Sequence, residues 1–205
     1  MSIPGLFDTA DRRPVHFVGI GGAGMSALAE LFVRKGVFVT GCDANPAGAA
    51  DLVDLGVTVA RGHDAVHAMG ARAVVHSSAI PLDHPELERA RTQGLPVIRR
   101  AEALAEAVRD GRLVGIAGTH GKTTTTVMTT EALAAAGLDP TGIVGGRVSA
   151  WKGNLRRGGG DVFVVEADEY DRSFLALDPE VAVVTNVEAD HLDIYRDLDD
   201  VHSAF

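Results

Sequence analysis

The stretch Gly118-Thr119-His120-Gly121-Lys122-Thr123-Thr124-Thr125-Thr126 constrains what this chain can fold into more than any other. The apolar run Leu113-Val114-Gly115-Ile116-Ala117 leads into it, and the helix-forming residues 124–136 lead out. Strand, glycine-bounded loop and helix, in that order, frame a phosphate. Backbone N–H groups of the loop surround its oxygens, and the helix N-terminus adds partial positive charge. The full eight-residue phosphate-loop pattern is not met, because Ile116 stands five positions before Gly121. A shortened Gly-x-x-Gly-Lys-Thr remains. Read this way, Gly118, Thr119, His120, Gly121, Lys122, Thr123 and Thr124 form an ATP site. Lys122 reaches the outer phosphates and the Thr123 hydroxyl holds magnesium. The plainer alternative is a glycine-rich turn capped by threonines.

A second glycine fingerprint lies upstream. Residues 15–20 read as a strand running into Gly19-Ile20-Gly21-Gly22-Ala23-Gly24, followed by a helix over 25–35 and a strand over 37–42 that ends at Asp43. Gly19, Gly21 and Gly24 fit Gly-x-Gly-x-x-Gly, with an acid 19 positions beyond the last glycine. That is a nucleotide-diphosphate site in which Asp43 accepts from a ribose or base. Taken alone it suggests an NAD-dependent oxidoreductase, and Asp43 has the simpler reading of a turn residue ahead of Asn45-Pro46. Short strands at 57–60, 73–76 and 96–98 follow, with helices over 47–55, 85–93 and 101–109. Ser77 and Ser78, at the carboxyl end of a strand, are ligand candidates or turn formers. His63 and His67 are four apart on a helix start with no third metal ligand nearby in sequence, and read as surface histidines.

Arg109-Asp110-Gly111-Arg112 is a polar break, which sets a boundary between residues 1–110 and 111–205. Beyond the phosphate loop come a strand over 141–144, a long glycine-rich loop over 145–160 carrying Arg147, Trp151, Lys152 and Asn154, and a buried strand over 161–165. That last strand ends in Glu166-Ala167-Asp168-Glu169-Tyr170-Asp171. Four carboxylates in six residues repel one another unless a cation balances them. A final strand over 181–185 runs into Asn186-Val187-Glu188-Ala189-Asp190-His191. Acids at two strand ends beside a phosphate loop make a magnesium–ATP site. Residues 199–205 read as a helix beginning, with Asp199 or Asp200 as N-cap and no stop signal, so the sequence looks cut within a domain.

Composition narrows the class. Hydrophobic residues make up 46 % and aromatic ones 5 %, which suits helices packed on a sheet. A net charge of −9 argues against general affinity for nucleic acid or anionic membrane, so a phosphate ligand must be held by local devices. One cysteine, Cys42, allows no internal disulfide. The first fourteen residues have no apolar core of a signal peptide, and no stretch is long enough to span a membrane, so a reducing cytoplasm is the default.

These features together resemble the Mur ligase family. The likeness rests on His16-Phe17-Val18-Gly19-Ile20-Gly21-Gly22-Ala23-Gly24-Met25-Ser26, Ser77-Ser78-Ala79-Ile80, Arg100-Ala101-Glu102, residues 117–126, Glu166-Ala167-Asp168-Glu169 and residues 185–193. It implies an α/β chain with a Rossmann-like N-terminal parallel sheet, followed by part of a central phosphate-loop domain. In that family the N-terminal domain holds the UDP part of a sugar substrate rather than NAD. The reaction is ATP-dependent amide formation through an acyl phosphate, in peptidoglycan precursor synthesis. The alanine-adding members are nearest in pattern, implying UDP-N-acetylmuramate, ATP and L-alanine as substrates.

By the same likeness Lys122, His120 and His191 are catalytic, and Thr123, Glu166, Glu169 and His191 hold magnesium, Glu166 ahead of Glu169. Asn186 supports the His191 loop. Gly19, Gly21, Gly22, Ala23, Gly24, Met25, Asp43, Ser77, Ser78 and Asn154 meet the UDP-sugar. Tyr170 departs from the alanine-adding pattern and fits the related recycling ligase, which attaches a whole tripeptide; Trp151 fits neither. A non-catalytic nucleotide-sugar-binding module is the alternative of another class. The chain as given is expected to bind the UDP-sugar with little turnover.

Overall fold

Val15–Val18 form β1, a four-residue strand in which every side chain is buried. A continuous apolar run of this kind belongs in the middle of a parallel sheet covered on both faces. The strand pairs in parallel with β2 (Val39–Asp43) on one side and β4 (Ala73–His76) on the other. With β3 (Thr58–Arg61) and β5 (Val97–Arg99) the order is β3-β2-β1-β4-β5. The direction of winding reverses between β1 and β4, so the crevice beyond their carboxyl ends is where such a sheet binds ligands. Helix α1 (Ala23–Arg34) buries Met25, Leu28, Leu31 and Phe32, with the Phe32 ring edge-on to Phe17 at 5.3 Å. Further helices are α2 (Ala50–Val53), α3 (Pro85–Thr92) and α4 (Arg100–Val108).

The computed structural model describes residues 3–189 and 194–205. The chain divides into two units, one of residues 1–107 with 147–154 and the other of residues 108–146 with 155–205. In the second, β6 (Arg112–Ala117) lies between β9 (Val162–Glu166) and β10 (Val181–Val184), parallel to both. With β7 (Thr141–Val148) and β8 (Gly153–Arg156) the order is β10-β6-β9-β7-β8. Ile116, Val162 and Val164 form the centre of its core. Helix α5 (Lys122–Ala135) follows β6, and α6 (Leu198–Ala204) packs Val201 and Ala204 with Tyr195. Among the described residues no helix is long and apolar enough to cross a membrane.

Several local expectations are corrected. Residues 145–160 are not one loop: β7 runs on to Val148, a 3₁₀ turn covers Ser149–Trp151, and β8 follows. The extension through Gly145 is tied down by its N–H, which donates to the Glu166 carboxylate at 2.8 Å. The helix anticipated over 47–55 is a 3₁₀ turn, Pro46–Ala49, followed by a single turn of α2. Helix α6 is capped by Asp197 rather than Asp199 or Asp200, its carboxylate accepting from Asp200 N at 2.9 Å. His63 is exposed and His67 partly so, as read, but each also turns a ring nitrogen toward the buried Glu86, at 3.2 and 3.6 Å. The short 3₁₀ turn Ala65–Ala68, capped by Asp64, sets that direction.

Candidate functional site

In the second unit the turn between β6 and α5 holds the phosphate-loop residues. Gly118 has φ +122°, and a Cβ there would run into the Thr185 hydroxyl and the Asn186 carbonyl. Gly121 caps α5 in the left-handed conformation and offers no side-chain acceptor to the first-turn N–H groups. Helix α6 is capped differently, by the Asp197 carboxylate. An uncapped helix start behind a glycine turn is instead suited to an external anion.

The loop is strapped by the segment after β10. Asn186 accepts from Thr119 N through its carbonyl (2.9 Å) and from His120 N through its side-chain oxygen (2.8 Å). Thr185 Oγ1 donates to His120 O at 2.6 Å, and Glu188 N donates to Thr119 Oγ1 at 2.9 Å. Inside α5, Thr126 and Thr130 are buried and donate to the carbonyls of Lys122 and Thr126, which satisfies hydroxyls in an apolar interface.

Two of the carboxylates are sorted by partner. Glu166, at the end of β9, accepts from Thr123 Oγ1 at 2.9 Å. Glu169, almost fully buried, pairs instead with Lys122 Nζ at 2.8 Å. The same ammonium donates to Gly118 O at 2.8 Å and Thr119 O at 3.3 Å, so it folds back across its own loop. Tyr195 Oη donates to the Glu169 carbonyl at 2.7 Å and anchors the segment. His120 is exposed and faces Glu188 at 3.8 Å. Thr124 is exposed on the first turn of α5. His191 lies outside the described residues.

In the first unit the fingerprint turn leads into α1, whose cap, Gly22, again supplies no side-chain acceptor. Gly19 takes φ +82°. A Cβ on Gly21 would press on Asn45 O and on the Asp43 carboxylate. Asp43 accepts from Gly21 N and from Asn45 N, both at 2.8 Å. Both of its oxygens thus shape the turn itself, the simpler of the two readings. Gly24 faces the Arg100 guanidinium, 3.1 Å from where a Cβ would stand. The Met25 side chain, in the first turn of α1, is 2 % exposed and packed in the core. Ser77 Oγ accepts from Ala79 N at 3.2 Å and so forms a turn, while Ser78 is exposed beside it. His76, at the end of β4, is pushed toward its neutral form by burial, and its Nδ1 donates to Ser77 O at 3.0 Å.

Asn154 joins this turn, donating to Ala23 O at 3.0 Å. Arg147 pairs with Asp51 at 2.6 Å and donates to Lys152 O at 2.8 Å. With Gly21, Ala23, Ser26 and Gly48 they line a pocket of about 200 Å³ at the start of α1. Asp51, Glu86 and Tyr195 were missed from the sequence. Asp51 sits in a stretch that read as an ordinary helix, Glu86 on a polar helix start, and Tyr195 in an unremarkable loop; only the folded contacts single them out.

The profile described as Mur ligase family, catalytic domain, matches residues 14–112, and that of the Mur ligase middle domain matches residues 116–205. A UDP-N-acetylmuramate–L-alanine ligase of Bradyrhizobium sp. (strain ORS 278) is 53 % identical over 193 residues, 94 % of this chain and 41 % of that protein. A protein of the same name from Myxococcus xanthus is 48 % identical over 203 residues, 98 % of this chain and 43 % of its own length. This chain therefore spans about two fifths of the length of these relatives. The crystal structure of a UDP-N-acetylmuramate–alanine ligase from Thermotoga maritima superposes with TM-score 0.85 at 33 % identity, covering 93 % of this chain and 45 % of that one. A UDP-N-acetylmuramate:L-alanyl-γ-D-glutamyl-meso-diaminopimelate ligase from Neisseria meningitides gives 0.86 at 32 % identity, covering 95 % and 67 %. With both domain profiles matched in order, and the fold shared, the chain belongs to the Mur ligase family.

Proposed function

We propose that this chain is the substrate- and ATP-binding part of an enzyme that joins L-alanine to UDP-N-acetylmuramate, forming ADP and phosphate in peptidoglycan precursor synthesis. The observation that carries the reading is the pair Thr123–Glu166 at the uncapped start of α5, with Lys122 beside it. The names of the relatives at about half identity supply the substrates.

Thr123 Oγ1 and Glu166 Oε2 stand 2.9 Å apart. Octahedral magnesium, with bonds of ~2.1 Å, sets neighbouring oxygens about 3 Å apart, so these two atoms fit adjacent positions on it. When bound, the ion neutralises charge on the β- and γ-phosphate oxygens. The loop N–H groups and the α5 N-terminus hold those phosphates. Lys122 meets the outer ones, and Glu169 keeps its ammonium oriented. An oxygen of the substrate carboxylate attacks the γ-phosphorus, and the bond to the bridging oxygen of ADP breaks. The amine then attacks the acyl carbon, loses a proton, and phosphate leaves. His120, exposed in the loop, is the side chain suited to meet the substrate carboxylate. The pocket bounded by Asn154, Arg147 and the α1 turn takes the UDP-sugar. A cytoplasmic setting agrees with the use of ATP and with a free, buried cysteine.

The test is phosphate release by the intact protein with ATP, magnesium, UDP-N-acetylmuramate and each amine in turn. Turnover with L-alanine and not with the tripeptide is expected. The likeness to the Neisseria structure, together with Tyr170, favours the tripeptide as the second reading, and the same assay decides it. Stabilisation by NADH with no response to UDP-N-acetylmuramate would sink both.

A further inference from the structure

A second group of chemically active side chains lies in the first unit, and the phosphate chemistry does not use it. Glu86, in the first turn of α3, is 0 % exposed. Its carboxylate is met by His16 Nε2 from β1 at 3.0 Å, by Cys42 Sγ from β2 at 3.0 and 3.1 Å, and by His63 Nδ1, just past β3, at 3.2 Å. Cys42 Sγ also lies 3.3 Å from His63 Nδ1. Asp64 N donates to the carboxylate at 3.1 Å.

A plain hydrogen-bond network explains part of this. Neutral histidines, a thiol and one backbone N–H can all donate to a buried carboxylate. Two details are left over. A thiol has one hydrogen, yet Sγ stands within 3.3 Å of three acceptor-capable atoms. The His67 Nδ1 atom is shut off from solvent and has no hydrogen-bond partner among the described residues, although it stands 3.6 Å from Glu86 Oε1. Deprotonated at sulfur and at the inward ring nitrogens, the same groups turn their lone pairs on one point, the arrangement a cation can take up.

The donor types say which cation. One sulfur, two imidazoles and one carboxylate are the set that zinc takes, whereas magnesium takes oxygen. The contacts that Glu86 makes with His16, Cys42 and His63, and that Cys42 makes with His63, run from 3.0 to 3.3 Å, and the ligand atoms of His16, Cys42 and Glu86 all lie within 4.8 Å of one another. Tetrahedral zinc with bonds of ~2.0–2.3 Å needs ligand atoms about 3.3–3.8 Å apart, so these contacts have to open by only a few tenths of an ångström. A thiolate and a carboxylate together balance a divalent ion. The outer contacts suit the role as well, since His16 Nδ1 is held by Thr40 Oγ1 at 2.9 Å, which orients Nε2 inward.

We infer that His16, Cys42, Glu86 and His63 form a zinc-binding site that clamps β1, β2, the segment after β3 and α3 together. Burial and the adjacent Glu86 raise the Cys42 thiol far above its ordinary range, so without metal it is protonated. Binding therefore breaks the S–H bond, forms the S–Zn bond and releases one proton to solvent.

Cobalt(II) is the probe. Cys42 is the only cysteine in the chain, so a sulfur-to-cobalt charge-transfer band can come from this site alone, even with magnesium in excess at the phosphate loop. The metal-free 205-residue protein titrated with cobalt is expected to develop that band, saturating at one ion per chain and discharged by zinc. Cys42→Ser removes the band. His63→Ala, a substitution at a partly exposed position, keeps the fold and weakens cobalt binding roughly tenfold or more. If the folded wild type develops no such band, or if His63→Ala binds cobalt as tightly as wild type, the proposal is overturned and the group is a hydrogen-bond network only.

Discussion

Lys122 and Glu169 form a nearly buried ion pair, and removing one partner of such a pair leaves the other uncompensated. In the intact enzyme Lys122→Ala is expected to lose about 3 kcal/mol or more of transition-state stabilisation, roughly a hundredfold or more in kcat/KM, read by phosphate release. Glu166→Ala is expected to raise the magnesium concentration needed for half-maximal rate while leaving UDP-sugar affinity unchanged. A near-normal Glu166→Ala enzyme beside a dead Glu169→Ala enzyme would reverse the two roles. Glu86 makes a different statement, about acid. Burial alone pushes its pKa up, but the bonds from His16 and Cys42 outweigh that and hold it down at about 2, against an ordinary value of 4.5. A depressed carboxylate stabilises the fold fully above its unfolded pKa. Its contribution is then lost as pH falls from about 4.5 toward 2. Urea unfolding across that range should show a steep acid loss in the wild type and a flatter one in Glu86→Gln. Lys122 and Thr123 were legible from the Gly-x-x-Gly-Lys-Thr pattern and Glu166 from the family resemblance, and the structure brings Thr123 and Glu166 into contact. The partner of each was not legible, since Glu166 and Glu169 lie only three residues apart and sequence cannot say which one turns toward the lysine.

At the scale of elements, the chain twice uses a parallel strand, a glycine turn and an uncapped helix. Gly118→Ala tests how far the second turn depends on its backbone. The positive φ alone costs about 1–3 kcal/mol, and the added methyl displaces Thr185 and Asn186, which strap the loop. Expected outcomes are a lower melting temperature and loss of ATP binding by calorimetry. The βα alternation was readable in chain order because buried parallel strands show as short apolar runs between helical stretches. The region 145–160 was not. Its glycines read as loop, but β7 runs on to Val148 beside β8, and Gly145 N donates to Glu166, 21 positions away in sequence.

For the whole molecule, β10 ends the order of the second sheet, with Val181, Val183 and Val184 between 36 and 51 % exposed. An apolar terminal strand is a template for pairing with another copy. Val183→Lys should shift this 205-residue chain toward monomer in light scattering, with folding stability changed by no more than about 0.5 kcal/mol. What the sequence determined by itself is the family, the pair of α/β sheets and their order. Periodicity, glycine placement and the Lys-Thr dipeptide are local properties, written into consecutive residues. What only the tertiary structure decided is pairing at a distance: Glu169 with Lys122, Asn186 with the phosphate loop, Asn154 with the start of α1, and four polar side chains from separate elements gathered around Glu86. Those contacts join residues as many as 131 positions apart. Strand order and packing bring them together, and no local pattern records either.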